Sequence, residues 1–100
     1  MTPFVASPAS TVNINVSGSS QSVSLAVRGR RQIRIMNNGS ATVWVAFGPT
    51  GVVATTGSNM PIPAGAIEVV SIPDYGATAF AAAIADGATG IVYFTPGEGI

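Results

Sequence analysis

Residues 11–27 read TVNINVSGSSQSVSLAV, and the period of that stretch decides the fold class. Val12, Ile14 and Val16 alternate with Thr11, Asn13, Asn15 and Ser17. After Gly18-Ser19-Ser20 the alternation resumes, with Val23, Leu25 and Val27 against Ser22, Ser24 and Ala26. A period of two places every second side chain on the same face of an extended strand. Two such runs around a Gly/Ser connection predict a β-hairpin with one apolar face.

The same period continues downstream. Ile33 and Ile35 alternate with Gln32, Arg34 and Met36 up to the turn Asn37-Asn38-Gly39-Ser40, where Asn and Gly tolerate the positive φ that tight hairpins demand. Thr42 to Phe47 (TVWVAF) is a strand of β-branched and aromatic residues that stops at Gly48-Pro49-Thr50-Gly51. Val52 to Thr56 reads as a short edge strand or an excursion. Met60-Pro61-Ile62-Pro63-Ala64-Gly65 is excluded from a central strand, because proline brings no ladder donor, and reads as an extended loop feeding a strand from Ile67 to Ile72. Ala79 to Ala85 and Ile91 to Thr95 flank residues 86–90 as a last hairpin. Alanine also favours helix over Thr78 to Ala85, but eight residues are too few to persist as one unless well packed. The strand reading puts Phe80, Ala82 and Ile84 on one side. The expected fold is therefore all-β: an antiparallel β-sandwich or jelly-roll-like barrel of seven to eight short strands. It forms a single domain over residues 11–100, and the Ser/Pro-rich residues 1–10 form an extended N-terminal arm.

Composition narrows the function classes. Of 100 residues, 47% are hydrophobic and only 8% charged, against about a quarter charged in ordinary soluble domains. Net charge is zero, which gives a lone monomer little protection against self-association. No stretch approaches the roughly 20 apolar residues of a helical membrane span, and Met1-Thr2-Pro3-Phe4 does not open a secretory signal. Burial of the surface against other subunits is the remaining explanation, and a homo-oligomer is expected.

The residue inventory points away from catalysis. The chain has no histidine, cysteine or lysine, so Ser-His-Asp, Cys-His, Ser-Lys and Schiff-base arrangements cannot be built. Its four acids are Glu68, Asp74, Asp86 and Glu98. The two aspartates adjoin glycine-containing turns, where aspartate is a good turn former, and the spacing matches no calcium loop. Gly48-Pro-Thr-Gly51 and Gly97-Glu-Gly99 lack the lysine and the following helix of a phosphate loop. The expectation is no enzyme, no cofactor and no metal.

Two features suggest protein contacts instead. All four basic residues are arginines packed into seven positions, Arg28, Arg30, Arg31 and Arg34. Arginines bind carboxylate, phosphate and aromatic faces, so the cluster suits an inter-subunit contact or simply solvates a strand edge. Zero net charge argues against nucleic acid. A tryptophan in a strand among Val43, Val45 and Phe47 is usually core, but Trp44 has the opposite strand parity to them. One of those sets therefore faces something other than the main core, and a partner surface is the second destination. With Phe4 in the arm and Met60 and Pro61 in the proline loop, these are the candidate contact residues.

Residues 34–48, Arg34-Ile-Met-Asn-Asn-Gly-Ser-Ala-Thr-Val-Trp-Val-Ala-Phe-Gly48, are followed by Met60-Pro-Ile-Pro-Ala-Gly65, the alanine-rich strand and Gly90-Ile-Val-Tyr-Phe-Thr-Pro-Gly-Glu-Gly99. This order, over about two-thirds of the chain, resembles small virion structural proteins of tailed bacteriophages. The resemblance implies a sandwich or jelly roll made in the host bacterial cytoplasm and located in the virion. It would decorate or cement the capsid at junctions of major capsid protein subunits, or else be a tail or fibre part bound to other virion proteins. A different class stays open beside it: a small carbohydrate-binding or adhesion module, with Trp44, Tyr75 and Tyr93 as its aromatic candidates.

Overall fold

Strand-forming alternation produces strands over residues 12–16, 21–24 and 32–37, with Ala26 and Val27 outside the described residues, in an arrangement that local sequence did not indicate. The computed structural model describes residues 5–6, 11–25, 32–57, 59–73, 75, 79–85 and 90–98. Nine strands lie within them: β1 (Val5–Ala6), β2 (Val12–Val16), β3 (Gln21–Ser24), β4 (Gln32–Asn37), β5 (Val43–Gly48), β6 (Met60–Ile62), β7 (Ile67–Ser71), β8 (Phe80–Ala85) and β9 (Gly90–Glu98). No helix occurs among the described residues. The alanine-rich segment is thus a strand, with Ala79, Ala81, Ala83 and Ala85 turned into the core. Residues 52–56 form no strand, and Met60–Ile62, read as loop, is an edge strand on β5. Edge position is what lets it contain Pro61.

All pairings are antiparallel. One sheet runs β2-β9-β4-β7, with β1 on the same edge of β9 as β2, and the other runs β3-β8-β5-β6. Apart from β1, the strands among the described residues number eight, and of these β5 and β6 are the only consecutive strands that pair with each other. The rest cross between sheets, which makes this two-sheet, eight-strand sandwich a jelly roll. The three expected hairpins are accordingly corrected. β2 pairs with β9 while β3 pairs with β8; β4 and β5 lie in different sheets; so do β8 and β9. The physical reason is coverage. A hairpin has one apolar face with nothing over it, whereas sending successive strands to opposite sheets sets their apolar faces against each other.

The core is a single cluster. Ile14, Val16, Ile33, Ile35, Val92 and Phe94 come from one sheet and Val43, Val45, Ile62, Ala81, Ala83 and Ala85 from the other. Phe47 of β5 meets Phe94 of β9 edge to face, centroids 6.0 Å apart at 88°, an aromatic contact bridging the sheets.

The corners are held by specific polar contacts. Asn37 is fully buried at the end of β4. Its Nδ2 donates to the carbonyls of Ala41 (2.9 Å) and Ile62 (2.8 Å), and its Oδ1 accepts from the Gly39 amide (3.0 Å). The turn at 37–40 therefore works through side-chain hydrogen bonds and close approach. Among the described residues the positive-φ glycines are Gly51, Gly57 and Gly65, whereas Gly39 Cα lies only 2.8 Å from where a Cβ on Gly90 would sit. Pro96 stands in β9 opposite Ile33, between the segment paired with β2 (Gly90–Phe94) and that paired with β1 (Gly97–Glu98). On that edge its missing N–H interrupts neither ladder.

Candidate functional site on the two outer faces

With inward positions filled by the core, alternation sends the intervening residues to two outer faces. Cross-strand register defines each face.

On the β3-β8-β5-β6 sheet, Trp44 stands between Pro61 and Ile84. The next row is Ala46, Ala82 and Ser22, and the one beyond is Gly48, Phe80 and Ser24. Trp44, Ala46, Phe80 and Ile84 are half-buried, Ala82 is buried, and Pro61, Ser22 and Ser24 are exposed. This face carries no charged side chain among the described residues, and serine supplies its polar rim along β3.

The β2-β9-β4-β7 sheet is different. One row runs Thr95, Arg34, Val69, and Thr11 joins it through a 2.9 Å hydrogen bond between the Thr11 and Thr95 hydroxyls. The adjacent row runs Asn13, Tyr93, Met36, Ile67. Thr11, Arg34, Met36, Tyr93 and Thr95 line an open groove of about 290 Å³. Arg34 is exposed, Met36 is 39% exposed, and Tyr93 and Thr95 are half-buried. Glu68 is the only acid whose side chain is described, and it lies opposite Ile35, hence on the other side of the sheet from Arg34. An inward-facing charge at an exposed position of edge strand β7 suits protection against edge-to-edge pairing.

The candidate contact residues are thus dispersed. Arg34 and Trp44 lie on opposite sheets. Pro61 borders Trp44, while Met60 is half-buried against the core. Phe4, Arg28, Arg30 and Arg31 lie outside the described residues, as do Asp74 and Asp86. Of the aromatic candidates, Tyr75 packs against the core, its hydroxyl donating to the Phe47 carbonyl at 3.4 Å. Tyr93 lies in the groove. Among the described residues no three of His, Cys, Asp or Glu come together. The groove itself escaped sequence reasoning, because Thr11, Arg34 and Tyr93 become neighbours only through the order β2-β9-β4.

No protein-family model, curated protein or solved structure matches the chain.

Proposed function

We propose that this protein is a virion structural protein of the capsid decoration or cement type, docking onto major capsid protein subunits through the outer face of the β3-β8-β5-β6 sheet. The observation that carries the reading is the charge-free patch of Trp44, Phe80, Ile84, Ala46 and Ala82. Tryptophan and phenylalanine around small, flat positions suit a desolvated contact, with an exposed serine rim at its border. The low charge of the whole chain and the resemblance of residues 33–100 to small phage virion proteins support it further. A protein that binds only the assembled lattice stabilises the shell by mass action, so rigidity and a neutral contact surface suffice and no catalytic group is needed.

The test is to mix purified protein with capsids assembled without it and to follow binding and the thermal stability of the shell. Saturable binding with a raised shell melting temperature is expected, and Trp44→Ser should weaken the binding and diminish the stabilisation. A stable oligomer in solution that ignores capsids would overturn the cement reading in favour of a tail or fibre part.

A further inference from the structure

We propose that the groove on the opposite sheet binds an acidic saccharide, a glycan bearing hexuronate units, with Arg34 holding the carboxylate and Tyr93 the sugar ring. This assignment is independent of the capsid-docking face, since the groove belongs to the β2-β9-β4-β7 sheet.

Three observations converge. First, Arg34 presents an exposed guanidinium on a face where no described carboxylate points. Its planar donor fork matches a carboxylate bidentately, so an anionic ligand group is the natural complement. Second, Tyr93 and Met36 stand directly across from each other in the adjacent row, giving an aromatic ring and a thioether as an apolar floor. The rows are two residues apart, roughly 7 Å along the strands. One ligand unit can therefore reach the cation with one end while lying on the floor. Third, the Thr11 and Thr95 hydroxyls are fixed against each other at 2.9 Å, and each keeps hydrogen-bonding capacity for a ligand hydroxyl.

A hexuronate answers all three: an apolar C–H face for stacking, ring hydroxyls for the threonines and a carboxylate for arginine. The groove, about 290 Å³ and open to solvent, admits one or two such units and lets a chain continue past them. A peptide carboxylate would satisfy Arg34, and its amides could reach the threonines, but it brings no pyranose C–H face to lie on the Tyr93 and Met36 floor. The observations therefore favour the glycan.

The experiment titrates the full chain with tetragalacturonate, and in parallel with neutral maltotetraose and with a short peptide ending in a free carboxylate, following backbone amide shifts. Trp44 is the only tryptophan and lies on the other sheet, so its fluorescence is an internal control. Tetragalacturonate should shift the amides of Arg34, Met36, Tyr93 and Thr95 saturably and leave Trp44 emission unchanged. Maltotetraose should bind about tenfold more weakly, and Arg34→Gln should bring tetragalacturonate down to that level, the loss expected for one charge-assisted pair. Tyr93→Leu should weaken both sugars. The assignment is overturned by absence of saturable shifts, by an affinity that survives Arg34→Gln, by shifts centred on Trp44, or by a peptide that binds as tightly as the uronate. Unchanged amide shifts outside the groove establish that each variant is folded.

Discussion

The two outer faces of this jelly roll are made by the same device, every second residue of a strand turned away from a shared core, yet they carry different chemistry. Around Trp44 the outward residues are aromatic, aliphatic and small, with serine at the border. Around Tyr93 they are threonine, asparagine and arginine together with methionine, valine and isoleucine, about a groove. The fold imposes neither. What differs is what the central strands turn outward: Phe80, Ala82 and Ile84 from β8 in the first sheet, and Tyr93 and Thr95 from β9 in the second. A charge-free apolar surface suits a broad protein contact, and a groove that sets a cation and hydroxyls beside an apolar floor suits a small ligand.

Both faces depend on one interior, so the largest effect should come from removing its aromatic bridge. Phe94→Ala deletes a fully buried ring in contact with Phe47 and should cost about 3–5 kcal/mol. Urea unfolding followed by Trp44 emission and by amides of the Tyr93 sheet should still coincide. Two separated transitions would mean that the faces are not coupled through the core. Gly90→Ala comes next. Its Cβ would meet backbone at 2.8 Å, and the forced shift of the β4–β5 corner should cost about 1–3 kcal/mol in the same assay.

The comparison is sharpened by paired surface changes. Trp44→Ser with Ile84→Ser should weaken self-association or capsid binding at least about tenfold, read by light scattering and co-sedimentation. Met36→Ser on the grooved face should leave both unchanged. Equal effects would erase the distinction between the faces. Arg34→Gln is the smallest change: stability should stay within about 0.5 kcal/mol of the parent, as expected for an exposed side chain with no described carboxylate on its face.

Much of the fold was legible. Val12, Ile14 and Val16 announce their inward face through period alone. Parity in β5, by contrast, separates Trp44 from Val43 and Val45 without saying which set turns inward, and Pro61 rules out a central strand without announcing the edge strand that Met60–Ile62 forms. The pairing partners were not legible, because both sheets of a sandwich have an apolar inner face, and alternation says which way a side chain turns without saying in which sheet. Gly18-Ser19-Ser20 and Asn37 to Ser40 have the chemistry of hairpin turns, but a corner between sheets uses the same residues. Asn37 shows why: its side chain ties Ala41 and Ile62, and Ile62 is 25 residues away in the chain. The Trp44 face was half visible through parity. The groove was not, since Thr11 and Tyr93 are remote in sequence.

β9 occupies the middle of its sheet and bonds to β1, β2 and β4, all of which precede it by many residues. On the ribosome those three strands emerge with their central partner still unmade, and no local hairpin is available to hold them. The contact order is correspondingly high, which places folding in the slower, millisecond-to-second class of all-β domains. Until β9 arrives, the nascent chain displays open strand edges, and chaperone protection during synthesis matters more for this small protein than its length suggests.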